Sequence, residues 1–564
     1  MEQRRTLLII ALMFLGFLLW NAWEKEFAPP PVATTAASST QGATTSSSSD
    51  TTPVASSSTP AATGLAKQQG PIPTTRQIQV KTDLLNVAID TQGGDIIQVA
   101  LPAFPLSEQA PKEPYVLLND DPNTQYTAPS HLIGTLGTQV LKGPMQYQVQ
   151  QSSYTLANGQ DGLDVALTWQ SPEGLTITKT FQFTRGSYVI GVKYTVDNKS
   201  NQTWTGHYVA ELNRIPVEPP KSMFVMASSM YAAYSTQNEA YEKLKFSALD
   251  KTNLSQNTDA GWVAMTQRYF LSAWIPDPKQ TNHLYTQSNG NNLYTIGFAG
   301  PQLTAAPNQT VTTNAHFYAG PEDTETLKAV APNLDLTLDY GWLWFISSGL
   351  FWLMSAFYKF VGNWGWAIVL TTIMIKIIFY PLTAKSFRSM AQMRNLAPKL
   401  AALKERFGDD RQKMSQATME LYRKEKVNPL SGCLPMLIQI PVFIALYWVL
   451  IDSVQLRQAP FIFWIHDLSA KDPYYILPVL MGISMYIQTY FNPPSPDPTQ
   501  AKVMKFLPVI FTFFFLHFPS GLVLYWIVNN VTQILQQWYV MKKFNKKAEE
   551  VKALTHKNNN KKKK

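Results

Sequence analysis

Cysteine is nearly missing from these 564 residues: Cys433 stands alone. An internal disulfide is therefore excluded, and a cysteine-held metal cluster is disfavoured. Between Ile72 and about Asn333 there is no G-x-S-x-G elbow, no glycine-rich phosphate loop and no histidine or cysteine metal spacing. The chain also lacks a G-x-x-x-x-G-K-[ST] loop, so ATP is not expected to drive its work. Its long apolar stretches contain no clear carboxylate, which weakens any reading as a proton or ion pump built on an acidic relay. No cofactor and no metal are expected, and the chain does not read as an enzyme.

Basic residues are not scarce. A formal charge of +9 and a pI near 9.1 fit anionic partners such as lipid headgroups, RNA or acidic peptides. One cation stands out. Trp364 to Thr383 is long enough to cross a bilayer, about 20 residues at about 1.5 Å each, yet it carries Lys376 well inside. A lysine at the centre of a membrane helix costs roughly 2.5–3.5 kcal/mol, so it asks for a reason. On one continuous helix Lys376 shares a polar face with Thr372, Tyr380 and Thr383. The bland alternative is snorkelling towards the cytoplasmic end.

The rest of the chain divides by composition. Residues 1–27 read as an uncleaved anchor: Arg4 and Arg5 precede an uncharged run, which keeps the N-terminus in the cytoplasm. Residues 28–70, rich in Ser, Thr, Ala and Pro, form a tether that cannot bury enough surface to fold. Residues 71–335 show strand–turn–strand punctuation, as in LDVALTWQ, Ser171-Pro172-Glu173-Gly174, LTITKTFQF, and predict an all-β sandwich. His207 and Glu211, four apart on a strand, are its nearest approach to an acid–base pair, against the plainer reading of a solvated or core-edge histidine. Residues 336–360 are expected to lie along the outer interface as an amphipathic helix. Charge parity decides this, because a crossing there would carry the basic segment after Thr383 outside.

Residues 361–384 form the second span and 385–428 a cytoplasmic helical hairpin. Met393, Leu396, Leu400, Leu403 and Phe407 make its apolar seam, Gly408-Asp409-Asp410 its turn, and Asn428-Pro429 opens the next helix. Residues 429–541 hold four further spans, at about Leu430–Ile451, Tyr474–Phe491, Met504–Phe518 and Leu522–Val540. Residues 542–564 are a basic cytoplasmic tail. The total is six spans with both ends inside. Within them sit the amides Gln439, Gln488, Asn530, Gln533, Gln536 and Gln537 and the hydroxyl of Ser484, all suited to interhelical hydrogen bonds. An unpaired cation among amides and hydroxyls suits the acidic or polar flank of an incoming peptide.

VGNWGWAIVLTTIMIKIIFYPLT, KVNPLSGCLPMLIQIPVFIALY, LRQAPFIFWIHDLSAKDPYYILP and FPSGLVLYWIVNN together resemble the YidC membrane protein insertases of Gram-negative bacteria, in the Oxa/YidC/Alb superfamily. The resemblance covers essentially the whole chain. It implies a multi-pass α-helical protein with a five-helix insertase core around a hydrophilic groove, plus a large periplasmic β-super-sandwich similar to sugar mutarotases but without that activity. It implies insertion and folding of inner-membrane proteins, alone or beside the Sec translocon and its accessory subunits. The expected partners are nascent membrane proteins, the ribosome, the signal recognition particle receptor and anionic lipids. Position by position, Lys376 matches the groove cation, Thr372 its polar neighbour and Trp526 an aromatic groove position; many relatives have Arg at the first position and some have Tyr at the last. Gln439, Asn530 and Gln533 complete the expected groove. Phe443, Phe511, Phe514 and Phe515 are expected to form a slide for the substrate helix. Met393, Arg394, Arg406, Lys413, Lys542 and Lys543 are the expected contacts for ribosome or targeting factors. A polar-substrate transporter and a membrane-tethered sugar-modifying enzyme are the rival readings.

Overall fold

Alternation builds the first half of the molecule. In the strand Leu175–Thr184 every second side chain, from Leu175 through Phe183, points inward, and its neighbours on both sides follow the same two-residue period. The computed structural model describes residues 76–141, 144–217, 230–407, 410–425, 427–428, 434–492 and 498–561. The expected anchor, the tether and the hairpin turn at Gly408-Asp409 lie outside them, as do Pro429 and Cys433. The β region holds a five-stranded sheet and two eight-stranded sheets, almost wholly antiparallel. Their facing sides enclose one large core around Trp204, Trp274, Phe181, Phe298 and Tyr194. The expected sandwich is therefore present, with two short helices beside it, α1 (Phe246–Leu249) and α2 (Thr324–Val330).

The second half is helical. α3 (Trp344–Val361) ends at Gly362, whose positive φ of 65° is the left-handed turn that glycine takes without strain. Asn363 then caps α4 (Trp364–Ile378) by accepting the Trp366 N–H. This two-residue junction folds α4 back on α3, and Tyr358 stacks on Trp364 at 4.2 Å. α3 buries Ser347, Leu350 and Met354 and exposes Trp344, Phe345, Trp352 and Phe360, so it has one apolar aromatic outer face.

The expected continuous helix from Trp364 to Thr383 does not form. α4 stops at Ile378, and α5 (Tyr380–Asn395) leaves at 68° to it. Pro381 supplies no N–H to the preceding turn, and the N–H groups of Leu382 and Thr383 both turn to the Phe379 carbonyl. Tyr380 and Thr383 thus leave the face that carries Thr372 and Lys376. α5 continues towards α6 (Ala397–Phe407) and α7 (Arg411–Lys424), the two arms of the expected hairpin, joined by the ion pair Lys399–Glu425.

α8 (Leu434–Asp452), α9 (Ile476–Phe491), α10 (Pro498–Phe515) and α11 (Ser520–Lys561) follow. At 42 residues α11 is about 63 Å long and runs on through the segment expected as a separate tail. Among the described residues no single helix is long and apolar enough to cross a membrane; α4 and α5 meet that measure only as a bent pair, and α9 and most of α8 are shorter apolar helices. The helices share their own core, including Met354, Ile368, Leu446, Met481, Phe515 and Tyr525. Polar contacts tie the β region to the loop after α8: Arg457 donates to the Pro105 carbonyl at 2.7 Å, and Gln455 to Asp323 at 2.7 Å.

Candidate functional site

Lys376 sits in the last turn of α4 with only 5% of its surface exposed. Its ammonium donates to Gln533 Oε1 of α11 at 3.2 Å and to Gln439 Oε1 of α8 at 3.5 Å. Among the described residues no charged side chain faces it. An ammonium has donors only, so it selects the oxygen of each amide and turns the nitrogen away. Gln439 Nε2 accordingly donates to the hydroxyl of Tyr525, a buried residue of α11. Gln536, one turn beyond Gln533, donates to the backbone carbonyl of Lys376 at 3.2 Å. Three helices therefore converge on one cation, and what meets it are neutral amide oxygens.

The other expected groove residues lie elsewhere. Thr372 is buried and returns its hydroxyl to the Ile368 carbonyl of its own helix at 2.7 Å. Asn530 donates to Ser484 of α9 at 2.9 Å, and Gln488 to Gln537 at 2.7 Å, so these amides join α9 to α11. Trp526 falls among the expected slide residues: its ring lies 5.0 Å from Phe443, 5.3 Å from Phe515 and 6.4 Å from Phe511. Phe514 packs on Phe518 at 5.0 Å. The predicted site thus separates into a polar set around Lys376 and an aromatic set around Trp526; α8 and α11 contribute to both, and Phe511 and Phe515 of α10 join the aromatic one.

In the hairpin, Met393 is buried with Leu396 and Leu400, whereas Arg394, Arg406 and Lys413 are exposed. Lys413 pairs with Asp410 at 3.1 Å. Lys542 and Lys543 are exposed on α11, with the Lys542 ammonium 5.1 Å from the Trp538 ring. The exposed members of the expected set are thus all cations, three in the hairpin and two on α11.

In the β region His207 and Glu211 are not brought into an acid–base pair. His207 Nδ1 meets the Gly300 carbonyl at 3.0 Å, and Glu211 accepts from the Tyr285 hydroxyl at 2.5 Å. Burial pushes the Glu211 carboxyl up from its ordinary value, against the Tyr285 hydrogen bond. A second buried cation lies there instead. Lys179 is fully buried, donates to the Gly94 and Ser130 carbonyls at 2.6 Å each, and stands 4.0 Å from Asp95. Burial holds its ammonium down to about 7 and raises the Asp95 carboxyl to about 6, each partly opposed by the other's charge. The signal was in LTITKTFQF, where Lys179 occupies the inward parity of an otherwise apolar face. Tyr525 and Gln536 had no comparable signal, since hydroxyl and amide partners depend on which helices meet.

Two family models match the chain: the YidC periplasmic domain over residues 77–353 and the 60Kd inner membrane protein over residues 356–548. The membrane protein insertase YidC of Coxiella burnetii (strain RSA 493 / Nine Mile phase I) is 47% identical over 98% of this chain and 99% of its own. The chain belongs to the YidC family. Its YidC relative in Pseudomonas fluorescens (strain SBW25), also named a membrane protein insertase, is 46% identical over 96% of this chain and 98% of its own. Among solved structures, an active YidC insertase with its first transmembrane domain resolved matches at TM-score 0.39 and 18% identity, covering 83% of this chain and 94% of that one. The first model covers the β region and runs into α3, and the second covers the rest of the helical region up to residue 548.

Proposed function

We propose that this chain is a membrane protein insertase and chaperone of the bacterial inner membrane, in which Lys376 draws the acidic flank of a client into a polar groove open to cytoplasm and lipid. The observation that carries this reading is the company of the ammonium: two side-chain amide oxygens and no carboxylate among the described residues. A hydrogen bond from a charged donor to a neutral acceptor is worth about 1.5–3 kcal/mol. A client carboxylate at about 4 Å gains about 4 kcal/mol at an effective dielectric near 20. That attraction is of the same size as the two amide hydrogen bonds together, so in this reading the ammonium exchanges between them, turning to the flank as it arrives and back to the amides once it has passed. The aromatic set of Phe443, Phe511, Phe515 and Trp526 then offers an apolar surface along which the client helix moves into lipid, where burial drives the process.

In this reading the chain crosses the membrane six times, the N-terminal anchor and five core helices, with both termini cytoplasmic, and the β region lies in the periplasm. The exposed cations Arg394, Arg406, Lys413, Lys542 and Lys543 meet the ribosome or targeting factors, and the Sec translocon, the signal recognition particle receptor and anionic lipids are further partners. A sugar-modifying role for the β region loses its acid–base pair, because His207 and Glu211 turn to separate partners. The test compares insertion of two clients that differ only in an acidic or a neutral N-tail. Lys376→Glu is expected to impair the acidic client at least tenfold more than the neutral one, the effect of roughly 1.4 kcal/mol. Equal impairment of both clients would remove the electrostatic part.

A further inference from the structure

Gln533 and Gln536 stand three apart on α11 and so share one face. They grip the same residue at two points. Gln533 accepts from the Lys376 ammonium at 3.2 Å, and Gln536 donates to the Lys376 backbone carbonyl at 3.2 Å. That carbonyl belongs to the last turn of α4, where an ordinary helix leaves four carbonyls without donors of their own. The neighbouring Ile375 carbonyl takes the Phe379 N–H, and Pro381 has no N–H to give back to Ile377. The bend at Phe379 thus opens the helix end beneath the cation, and an amide from another helix closes it. A buried carbonyl must find some donor; the one it finds comes from the same face that receives the ammonium.

We infer that Gln536 is a positioning residue for Lys376: by capping the broken end of α4 it fixes the backbone from which the ammonium is presented to a client. The inference rests on the reading of Lys376 as the client-attracting cation. With the carbonyl tied to α11, the lysine stem starts from a fixed point and its head reaches Gln439 and Gln533 together. Without that tie the end of α4 is free to follow α5, and the head no longer has one set of partners. Gln536 itself does not touch the client; it acts through Lys376.

The test uses the full-length protein in proteoliposomes and the pair of clients with acidic or neutral N-tails. Gln536→Met keeps length and removes the donor. It is expected to lower insertion of the acidic client about fivefold, the scale of one weakened charge-assisted hydrogen bond, and to leave the neutral client within twofold, as surface-scale changes do. In a Lys376→Met background the same substitution is expected to add nothing. Gln536→His, which retains a ring N–H donor, is expected to restore part of the loss. Equal losses for both clients, or losses additive with Lys376→Met, would reduce Gln536 to a general packing role and overturn the inference.

A second measurement is independent of the clients. In a Cys433→Ser protein, the thiol of Lys376→Cys keeps the backbone carbonyl that Gln536 holds. Adding Gln536→Met is expected to change its labelling rate with a water-soluble maleimide several-fold, because a helix end that loses its tertiary hydrogen bond frays. The thiol of Thr372→Cys, one turn earlier, is expected to keep its rate. An unchanged rate at position 376 would overturn the positioning role even if Lys376 proved selective. Conversely, if Lys376→Met affected both clients alike while Gln536→Met still altered the labelling rate, the client-attracting role would fall and the cap would stand.

Discussion

Among the described residues two lysines are buried, one in the β region and one among the helices, and they are held in opposite ways. Lys179 gives short hydrogen bonds to two backbone carbonyls, stands 4.0 Å from Asp95 and lies over the rings of Phe181 and Tyr194 at 5.1 and 5.3 Å. Backbone carbonyls are fixed and cannot turn away. Lys376 has two side-chain amides at 3.2 and 3.5 Å, groups on rotatable stems with no net charge. The first arrangement is closed and structural: the cation joins Gly94 and Ser130 to the strand Leu175–Thr184. The second leaves the cation's charge uncompensated, which is what a site awaiting a charged visitor needs. Burial alone therefore does not separate a staple from a site; the mobility and charge of the acceptors do.

The comparison breaks most readily at Lys179. Lys179→Met removes one member of a buried pair and leaves Asp95 uncompensated, a change that costs about 3–5 kcal/mol. Denaturant unfolding of the full-length protein in micelles, followed by tryptophan fluorescence, is expected to show that loss in the β region. Insertion is expected to fall only as far as folded protein does. Lys376→Met is expected to cost less than that, because the loss of two hydrogen bonds is offset by no longer burying an ammonium and the partly exposed Gln439 and Gln533 can rotate to new partners, while insertion of acidic clients falls about tenfold. If the two lysines exchanged these outcomes, the distinction drawn from their acceptors would be wrong.

The titration of the pair sharpens the same contrast. The folded-state pKa of Asp95 is raised to about 6 because burial disfavours its charged form and Lys179 only partly offsets this. A raised carboxyl binds its proton more tightly when folded, so its contribution is present at low pH and is lost as pH climbs from about 4 through about 6. Removing the Lys179 charge pushes the carboxyl higher still. The stability deficit of Lys179→Met is therefore expected to be smallest near pH 4 and to widen towards pH 8, measured as unfolding midpoints across that range. Lys376→Met is expected to show no widening of that kind in the β region. A pH-independent deficit at Lys179 would mean that packing, not charge, holds it there.

Smaller effects test how tightly the helices that carry Lys376 are assembled. Gly482 of α9 faces Thr512 of α10, and a Cβ built at 482 would lie 2.0 Å from the Thr512 hydroxyl. Gly482→Val forces the two helices apart and is expected to cost about 1–3 kcal/mol, read as a lower melting temperature of the helical core. Because α9 and α10 do not carry Lys376, the ratio of acidic to neutral client insertion is expected to hold while total insertion drops.

What was legible in the residues divides along a physical line. The β sandwich, the hairpin and the order of the apolar helices follow from local period and punctuation, which a chain cannot hide. The isolated charge in IMIKII was equally plain, since a lysine in an apolar run violates its own surroundings. Lys179 does the same within a strand, yet only to a reader who follows alternate residues. What did not show was non-local. Periodicity continued one helix from Trp364 to Thr383, but Pro381 and the shared carbonyl of Phe379 broke it and separated Tyr380 and Thr383 from Lys376. The roles of Tyr525 and Gln536, and the departure of Asn530 and Trp526 from the lysine, depend on which faces of α8, α9 and α11 meet. One sequence read along its length does not hold that information.

The least change expected is also the most discriminating for the chemistry at position 376. Lys376→Arg keeps the charge and replaces a compact ammonium by a planar fork with five donors. If the site works as a point charge that a passing carboxylate competes for, insertion of acidic clients should stay within about twofold, since the Coulomb attraction is nearly unchanged. The fork can engage Gln439 and Gln533 together through separate N–H groups, so it should sit as firmly as the lysine does. A carboxylate, however, accepts both arms of a guanidinium at once, and such bidentate pairs release slowly. The visible consequence would then be kinetic: a longer-lived crosslink-competent intermediate between client and position 376, with a similar final yield. A loss as large as that of Lys376→Met would show that the cavity measures the shape of the cation, and that the amides around it are a fitted mould instead of exchangeable partners.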